Sequence, residues 1–377
     1  MIYIRPGSQT QTIILLLSVV GEFPTRSLHL LGNERVYKAL VHKLITPQTF
    51  RNDTTGEEIT VRLLTVTGKA SGKTVRFYKA ALPILEWIGG KEYYLSAFWN
   101  HKFPGDAAHK ERNHRVAETV AMCMRVGLEY RPYALPVLQN REILSVIPDH
   151  SVFYLAKDIK RVGDGELNKT MFTRLTGVLY ANGSCYAVYN TRNAVMKWHG
   201  KGEFKTLQNL KDLSRLNAGI SKVDSAILFG ESEKIALDTL LLSDKMEFRF
   251  DSVYHHVYFL PLNELGIRLF SLMLVPNWDA QLLDLLFDPD SRSYNRGAFE
   301  YDAVIDGTYV LSHLDGDLGR LIRFRDTACS RAGKFEVLCY PHQVPFLREY
   351  LGPRVNIKTI DIDSVEAELG RKSEEMN

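Results

Sequence analysis

Glycine punctuation constrains the start of this chain more than any other feature. The apolar segment Thr10 to Val20 is long enough for a helix of about three turns, and Gly21 stops it. Pro24 opens a second, shorter helix that carries Ser27, Leu28, Leu30 and Leu31 and is stopped by Gly32. Asn33 then caps a third helix, Glu34 to Leu44, because its side-chain oxygen can accept from the free amides of the first turn. Val36, Leu40 and Leu44 recur at i, i+4 and i+8 and are expected to face inward, leaving Arg35, Lys38 and His42 on one outward stripe. After a polar loop, Ile59 to Val66 and Thr74 to Tyr78 read as β-strands joined by the Gly-rich segment from Thr67 to Lys73. A short helix, Ala80 to Ile88, closes the unit before Gly89-Gly90. Three helices, a hairpin with a basic tip and a further helix are the layout of a winged helix-turn-helix.

A chain of 377 residues leads us to expect two or three domains. The expected division is 1–95, 96–220 and 221–370, with a solvated tail at 371–377. A hydrophobic share of 45% beside 24% charged residues is ordinary for a soluble globular protein. The apolar run Ile13 to Val20 is broken by Ser18 and falls short of the roughly 18–20 residues that a membrane span needs. Arg5 is followed by polar residues rather than by the apolar core of a signal peptide, so a cytoplasmic protein without a membrane partner is expected. Cys123, Cys185, Cys329 and Cys339 form no close pair, which argues for reduced, mostly buried thiols rather than zinc or disulfides. No metal or other cofactor is expected. Residues 1–100 hold 12 Lys and Arg against 7 Asp and Glu, a net +5 in a chain of net +3, leaving −2 for the remainder. The positive field therefore sits at the N-terminal end.

Beyond the first unit an amphipathic helix is expected from Asp106 to Leu128, followed by a region punctuated by Pro132, Pro136 and Pro148. Phe153 to Ile159 reads as a strand, Leu175 to Tyr180 and Cys185 to Tyr189 as a hairpin turning on Asn182-Gly183, and Leu207 to Leu216 as a helix. From residue 222 strand and helix alternate. Strands Ser225–Phe229 and Val257–Leu260 each precede a helix, Ser232–Leu242 and Asn263–Val275. A hairpin at 302–311 turns on Asp306-Gly307, and strand Phe335–Cys339, helix Val344–Tyr350 and strand Val355–Ile360 follow. The fold class expected is α+β and multidomain: the winged helix, a middle mixed α/β domain and a C-terminal α/β domain with partly parallel strands. No internal repeat is visible.

A recognition helix third in a trihelical unit lies in the major groove, so Arg35, Lys38 and His42 are candidates to face DNA. Lys69, Lys73 and Arg76 on the hairpin are candidates to reach phosphates. The segment Gly68-Lys69-Ala70-Ser71-Gly72-Lys73-Thr74 imitates a nucleotide-binding loop, but it has three residues between its glycines where four are needed and runs into a strand. Glu203-Phe204-Lys205 offers half of a restriction-type nuclease site, with Glu118 as a helix-borne acid and Lys205 to position water. The central aspartate is missing, because no Asp or Glu occurs from Gly177 through Gly202. Asp302, Asp306, Asp315 and Asp317, near His313, suit Mg²⁺ by composition but are better explained as turn residues. His255 and His256 should point to opposite faces of a strand and so not share a metal. Tyr180, Tyr186, Tyr189 and Trp198, with Arg174, Arg192 and Lys197, could stack bases but are better explained as the aromatics of a half-buried sheet.

The opening unit, Leu82-Pro83-Ile84-Leu85-Glu86-Trp87-Ile88-Gly89 and His109-Lys110-Glu111-Arg112-Asn113-His114 resemble the replication-relaxation family over roughly residues 10–200. These proteins are encoded on plasmids and integrative conjugative elements of Gram-positive bacteria. The resemblance implies a winged helix joined to a restriction-endonuclease-like fold, acting in plasmid replication or DNA relaxation. In some members acidic residues lie on the strand pair that corresponds to 175–180 and 185–189, where this chain has Gly177, Tyr189 and Asn190. The implied middle domain is therefore degenerate. Together these features lead us to expect a non-catalytic double-stranded DNA-binding protein of a mobile element, acting in replication, mobilisation or their regulation. The alternatives are a Mg²⁺-dependent nuclease and a scaffold that recruits a relaxase or replication partner.

Overall fold

The computed structural model describes residues 1–98, 101, 103, 106–131, 150–159, 174–196, 201–214, 220, 222–246, 249–293 and 299–375. The chain divides into two compact units, Met1–Pro132 and Tyr133–Asn377.

In the first unit, β1 (Ile2–Tyr3) precedes α1 (Gln9–Val20), which Ser8 caps by accepting from the Gln11 amide. A short strand, β2 (Glu22–Pro24), leads into a 3-10 helix, Thr25–Leu31, and then α2 (Glu34–Leu44). Asn33 caps α2 through bonds from the amides of Arg35 and Val36. The segment expected as one strand, Ile59–Val66, is two: β4 (Glu58–Val61) pairs with β3 (Gln48–Arg51), and β5 (Leu64–Thr67) pairs with β6 (Thr74–Phe77). The sheet changes between Val61, which ends β4, and Leu64, which begins β5, with the buried Leu63 between them. The two sheets are β1-β3-β4 and β2-β6-β5. The polar stretch before residue 58 thus holds a strand rather than only a loop, with Thr49 and Thr60 bonding across the pair at 2.8 Å.

A further 3-10 helix, Lys79–Ile88, is followed by α3 (Lys91–Ala97), α4 (Ala107–Arg125) and β7 (Glu129–Arg131). Asp106 caps α4 rather than joining it, and the buried Ala117, Val120, Ala121 and Cys123 turn it toward α1, β2 and the first 3-10 helix. That packing places α4 in the N-terminal unit, whereas a boundary after residue 95 would cut it off.

The second unit contains β8 (Val152–Leu155), a single-turn α5 (Ala156–Ile159), β9 (Leu175–Ala181), β10 (Ser184–Arg192), α6 (Lys201–Ser214), β11 (Lys222–Gly230), α7 (Glu233–Ser243), β12 (His256–Pro261), α8 (Glu264–Met273) and α9 (Trp278–Leu286). It continues with β13 (Ala303–Ile305), β14 (Thr308–Ser312), α10 (Leu318–Ser330), β15 (Lys334–Cys339), α11 (Val344–Leu351), β16 (Val355–Thr359) and α12 (Ile362–Glu375). Strands of the first sheet run β12-β11-β10-β9-β8 and those of the second β13-β14-β15-β16. Each contains an antiparallel hairpin that turns on a residue with positive φ followed by glycine, Asn182-Gly183 or Asp306-Gly307, and then two parallel crossovers. The topology therefore repeats although the sequence does not, because connection rules act on strand direction rather than on residue identity.

One apolar core runs from Val152 to Val355 through both sheets. The division expected at 220/221 falls between β10 and β11, which are parallel neighbours in register from Tyr186↔Ser225 to Asn190↔Phe229. α12 continues to Glu375 through most of the expected tail, and residues 376–377 lie outside the described residues, as do Pro132, Pro136, Pro148, Lys197, Trp198 and the end of the helix expected to Leu216.

Gly177 on β9 is fixed by close approach: a Cβ there would sit 2.2 Å from the Tyr154 carbonyl oxygen and 2.3 Å from the Phe153 ring. Gly177→Ala is expected to cost about 1–3 kcal/mol through overpacking, read as a lower urea midpoint at unchanged slope. An unchanged midpoint would show that β8 yields freely.

Candidate nucleic-acid interface

The inward face of α2 is Tyr37, Val41 and Leu44, at i, i+4 and i+7. Val36, expected inside, is 41% exposed, and Leu40 is only half-buried. The face is rotated by about one residue from the expected one, because the i, i+4, i+8 series drifts around a 3.6-residue turn and the large Tyr37 ring fills the core instead. At about 100° per residue, the outward face then centres on Arg35, Ala39 and His42, flanked by Lys38 on one side and by Val36 and Lys43 on the other. All six are exposed. Arg35, Lys38 and His42 thus share the outward surface as expected, but Lys38 lies at its margin in a 2.6 Å ion pair with Glu34, whose carboxyl is lowered by that contact. Val36, Ala39 and Lys43 were missed. Tyr37, the aromatic of the helix, was the signal that could have set the rotation.

The hairpin β5–β6 carries Lys69 and Lys73, both exposed, on a loop folded into a single 3-10 turn. Gly68 has φ +90°, and a Cβ there would meet the Gly72 carbonyl oxygen at 2.3 Å, so the loop closes on itself. The Lys73 carbonyl accepts from the Thr25 amide at 3.0 Å, tying the hairpin to the start of the 3-10 helix that leads into α2. This loop joins two strands and opens no helix, which removes the nucleotide-loop likeness. Arg76 is set back from the tip: it lies opposite both Glu22 and Thr65 in the sheet and over the Phe103 ring at 4.9 Å.

Behind these surfaces the first unit buries polar groups. Ser27 donates to Glu118 at 2.6 Å, which gives that carboxylate a structural partner. Glu22 and His114 lie 3.9 Å apart; burial raises the Glu22 carboxyl, with Lys110 and Arg76 opposing, and lowers the His114 imidazole to about 4.

Glu203 and Lys205 do not form the expected pair. Glu203 and Lys205 are on helix α6 rather than a strand, with Glu203 buried and Lys205 exposed. Glu118 belongs to the first unit and they to the second. At the end of β10, beside the strand pair on which the resemblance implied acidic residues, are the buried Asn190, Thr191 and Arg192. The aromatics of this hairpin are core: Tyr180, Tyr186 and Tyr189 are buried, and the Tyr189 and Tyr254 hydroxyls bond at 2.8 Å.

The acidic cluster is organised by a cation that sequence spacing did not reveal. Arg320, buried, donates to Glu300 at 2.9 Å, to Asp315 at 3.1 Å and to Asp302. Asp317 caps α10, accepts from the Val257 amide at 3.0 Å and pairs with His256 at 2.6 Å. Burial raises the Asp315 carboxyl to about 6 against the pull of Arg320. Burial would raise Asp317 too, but His256 and Arg320 hold it low. Asp306 is the hairpin turn alone. β12 begins only at His256, so His255 escapes the strand geometry expected of it and its ring meets that of His256 edge-on, centroids 4.6 Å apart. Among the described residues no three His, Cys, Asp or Glu converge as a metal site. Cys123, Cys185 and Cys339 are buried, Cys329 is exposed, and none is paired. No described helix is long and apolar enough to cross a membrane. No family model, curated protein or solved structure matches the chain.

His313 is 1% exposed with neither ring nitrogen hydrogen-bonded, and burial lowers its imidazole to about 3; His342 beside it is lowered to about 4. A folded-state value below the unfolded one, about 6.5, means that the unfolded chain takes up more protons. Stability is then complete above about 6.5 and is lost as pH falls through that value toward the folded ones. Urea midpoints are expected to decline from pH 7 to pH 5, and His313→Leu to hold its midpoint at pH 7 while declining less. An undiminished decline in His313→Leu would remove this histidine from the account.

Proposed function

We propose that the N-terminal unit is a winged helix-turn-helix that binds double-stranded DNA, with α2 in the major groove and the β5–β6 hairpin against the flanking backbone. The observation that carries this is the outward face of α2, where Arg35, Lys38, His42 and Lys43 stand exposed around Ala39. The strand order β2-β6-β5, with helices between β2 and β5, supports the fold reading. Arg35 and His42 reach base edges, while Lys38, Lys69 and Lys73 neutralise phosphates. Arg76, set back beside Glu22, supports the hairpin more than it reaches DNA.

The chain acts without cutting. Glu203 turned inward, Lys205 turned outward and Asn190-Thr191-Arg192 at the strand end favour a degenerate nuclease-like second unit. The resemblance to the replication-relaxation family extends the proposal to a protein of a plasmid or integrative element, recruiting DNA for replication or mobilisation.

Full-length protein with Lys38→Ala and Lys73→Ala should bind duplex DNA more weakly, with a log–log salt slope shallower by about 2. Equal affinity and slope in fluorescence anisotropy would sink the assignment. Incubated with supercoiled plasmid and Mg²⁺ or Mn²⁺, the protein is expected to leave the plasmid intact. Nicking that vanishes in Glu203→Ala would overturn the non-catalytic reading.

A further inference from the structure

We propose that α2 reads sequence through Val36, whose methyl groups pack against the C5 methyl of a thymine in the major groove, next to a base pair contacted by Arg35. This rests on the DNA-binding reading above. Val36 lies in the first turn of α2, where a recognition helix places its base-contacting residues. It is a β-branched apolar side chain, 41% exposed, on a surface whose other exposed members are Arg35, Lys38, Ala39, His42 and Lys43. Nothing in the packing of the unit requires an apolar residue there, because Tyr37, Val41 and Leu44 already form the inward face.

The surroundings decide the occupant. A protein partner would need roughly 800 Å² of surface on each side, and a single valine at the margin of a face that carries Arg35, Lys38, His42 and Lys43 supplies no apolar centre for it. A polyanion that carries isolated methyl groups along a groove fits both the charge and the size. Thymine presents that methyl in the major groove, where it distinguishes A·T from the other pairs. Ala39, on the same surface one turn along and with no more than a methyl group of its own, leaves room for the helix to approach the base edges closely enough for Val36 to make the contact.

The test uses full-length protein and duplexes selected by it from a random-sequence pool. Deoxyuridine, which lacks only the methyl, replaces each thymidine of the selected site in turn, and affinity is measured at fixed salt. The expected result is a loss of about three- to fivefold at one or two positions, the worth of one buried methyl. The same replacements should have no effect on Val36→Ala, whose salt slope should match that of the unaltered protein. Alanine is the better helix former at an exposed site, so the variant should fold. The inference is overturned if uridine has no effect at any position, if its effect persists undiminished in Val36→Ala, or if DNA is bound with the expected salt dependence but no sequence is enriched. In those outcomes DNA binding stands. If no duplex is bound at all, both readings fall together.

Discussion

The second unit depends on a buried arginine. Taking a guanidinium out of water costs several kcal/mol, and Arg320 is tolerated because Glu300, Asp302 and Asp315 surround it with hydrogen-bonded carboxylates. Glu300 and Asp302 precede β13, Asp315 follows β14, and Arg320 lies in the first turns of α10, so this one cation gathers the open end of the hairpin that starts the second sheet. Asp317, two residues from Asp315, reaches to β12 through His256 and the Val257 amide, and the Phe259 amide bonds the Gly316 carbonyl at 2.9 Å. The turn from residue 315 to 317 thereby runs alongside the edge of the first sheet. It explains how two sheets of like topology share one core, and why acidic residues that suit a divalent ion by composition are committed to an arginine and a histidine instead.

In the first unit the same logic works on a smaller scale. Glu118 is satisfied by Ser27, and Glu22 sits beneath the positive field of Lys110 and Arg76, so the acids that approach α4 are turned inward. Glu34 is the acid that remains beside the outward face of α2, and it is paired with Lys38. The other acids of the first hundred residues, Asp53, Glu57, Glu58, Glu86 and Glu92, are exposed too, so the surface keeps acids beside its bases.

Much of the element order could be read from punctuation and period. Gly21, Gly32 and Asn33 bound α1, the first 3-10 helix and α2 to within a residue or two, because caps act locally. Asn182-Gly183 and Asp306-Gly307 located both hairpins for the same reason. The readings that failed required knowledge of a neighbour. The switch of sheets between Val61 and Leu64 depends on what lies on each face, and α10 went unseen because the Asp315-Gly316-Asp317 turn drew attention from the helix that Asp317 caps. The domain boundary at 220/221 failed because the pairing of β10 with β11 spans it. Arg320 was invisible as a partner of Asp302, since eighteen residues separate them. At the candidate interface the cationic residues were legible and the rotation of the helix was not, as an apolar series at i, i+4, i+8 matched the sequence nearly as well as Tyr37, Val41 and Leu44.

That rotation matters more to function than the list of basic residues. With Val36 and Leu40 inward, the exposed surface of α2 would be charged throughout, and charge alone binds any duplex about equally. Turning Tyr37 inward instead leaves Val36 exposed at one margin of the outward face, beside a centre formed by Arg35, Ala39 and His42. In the proposed complex the cations would supply attraction that is indifferent to sequence, and Val36 a contact made only where a methyl group meets it. The core residue chosen for packing in the first unit thereby sets which side chains the outer face of the same helix presents.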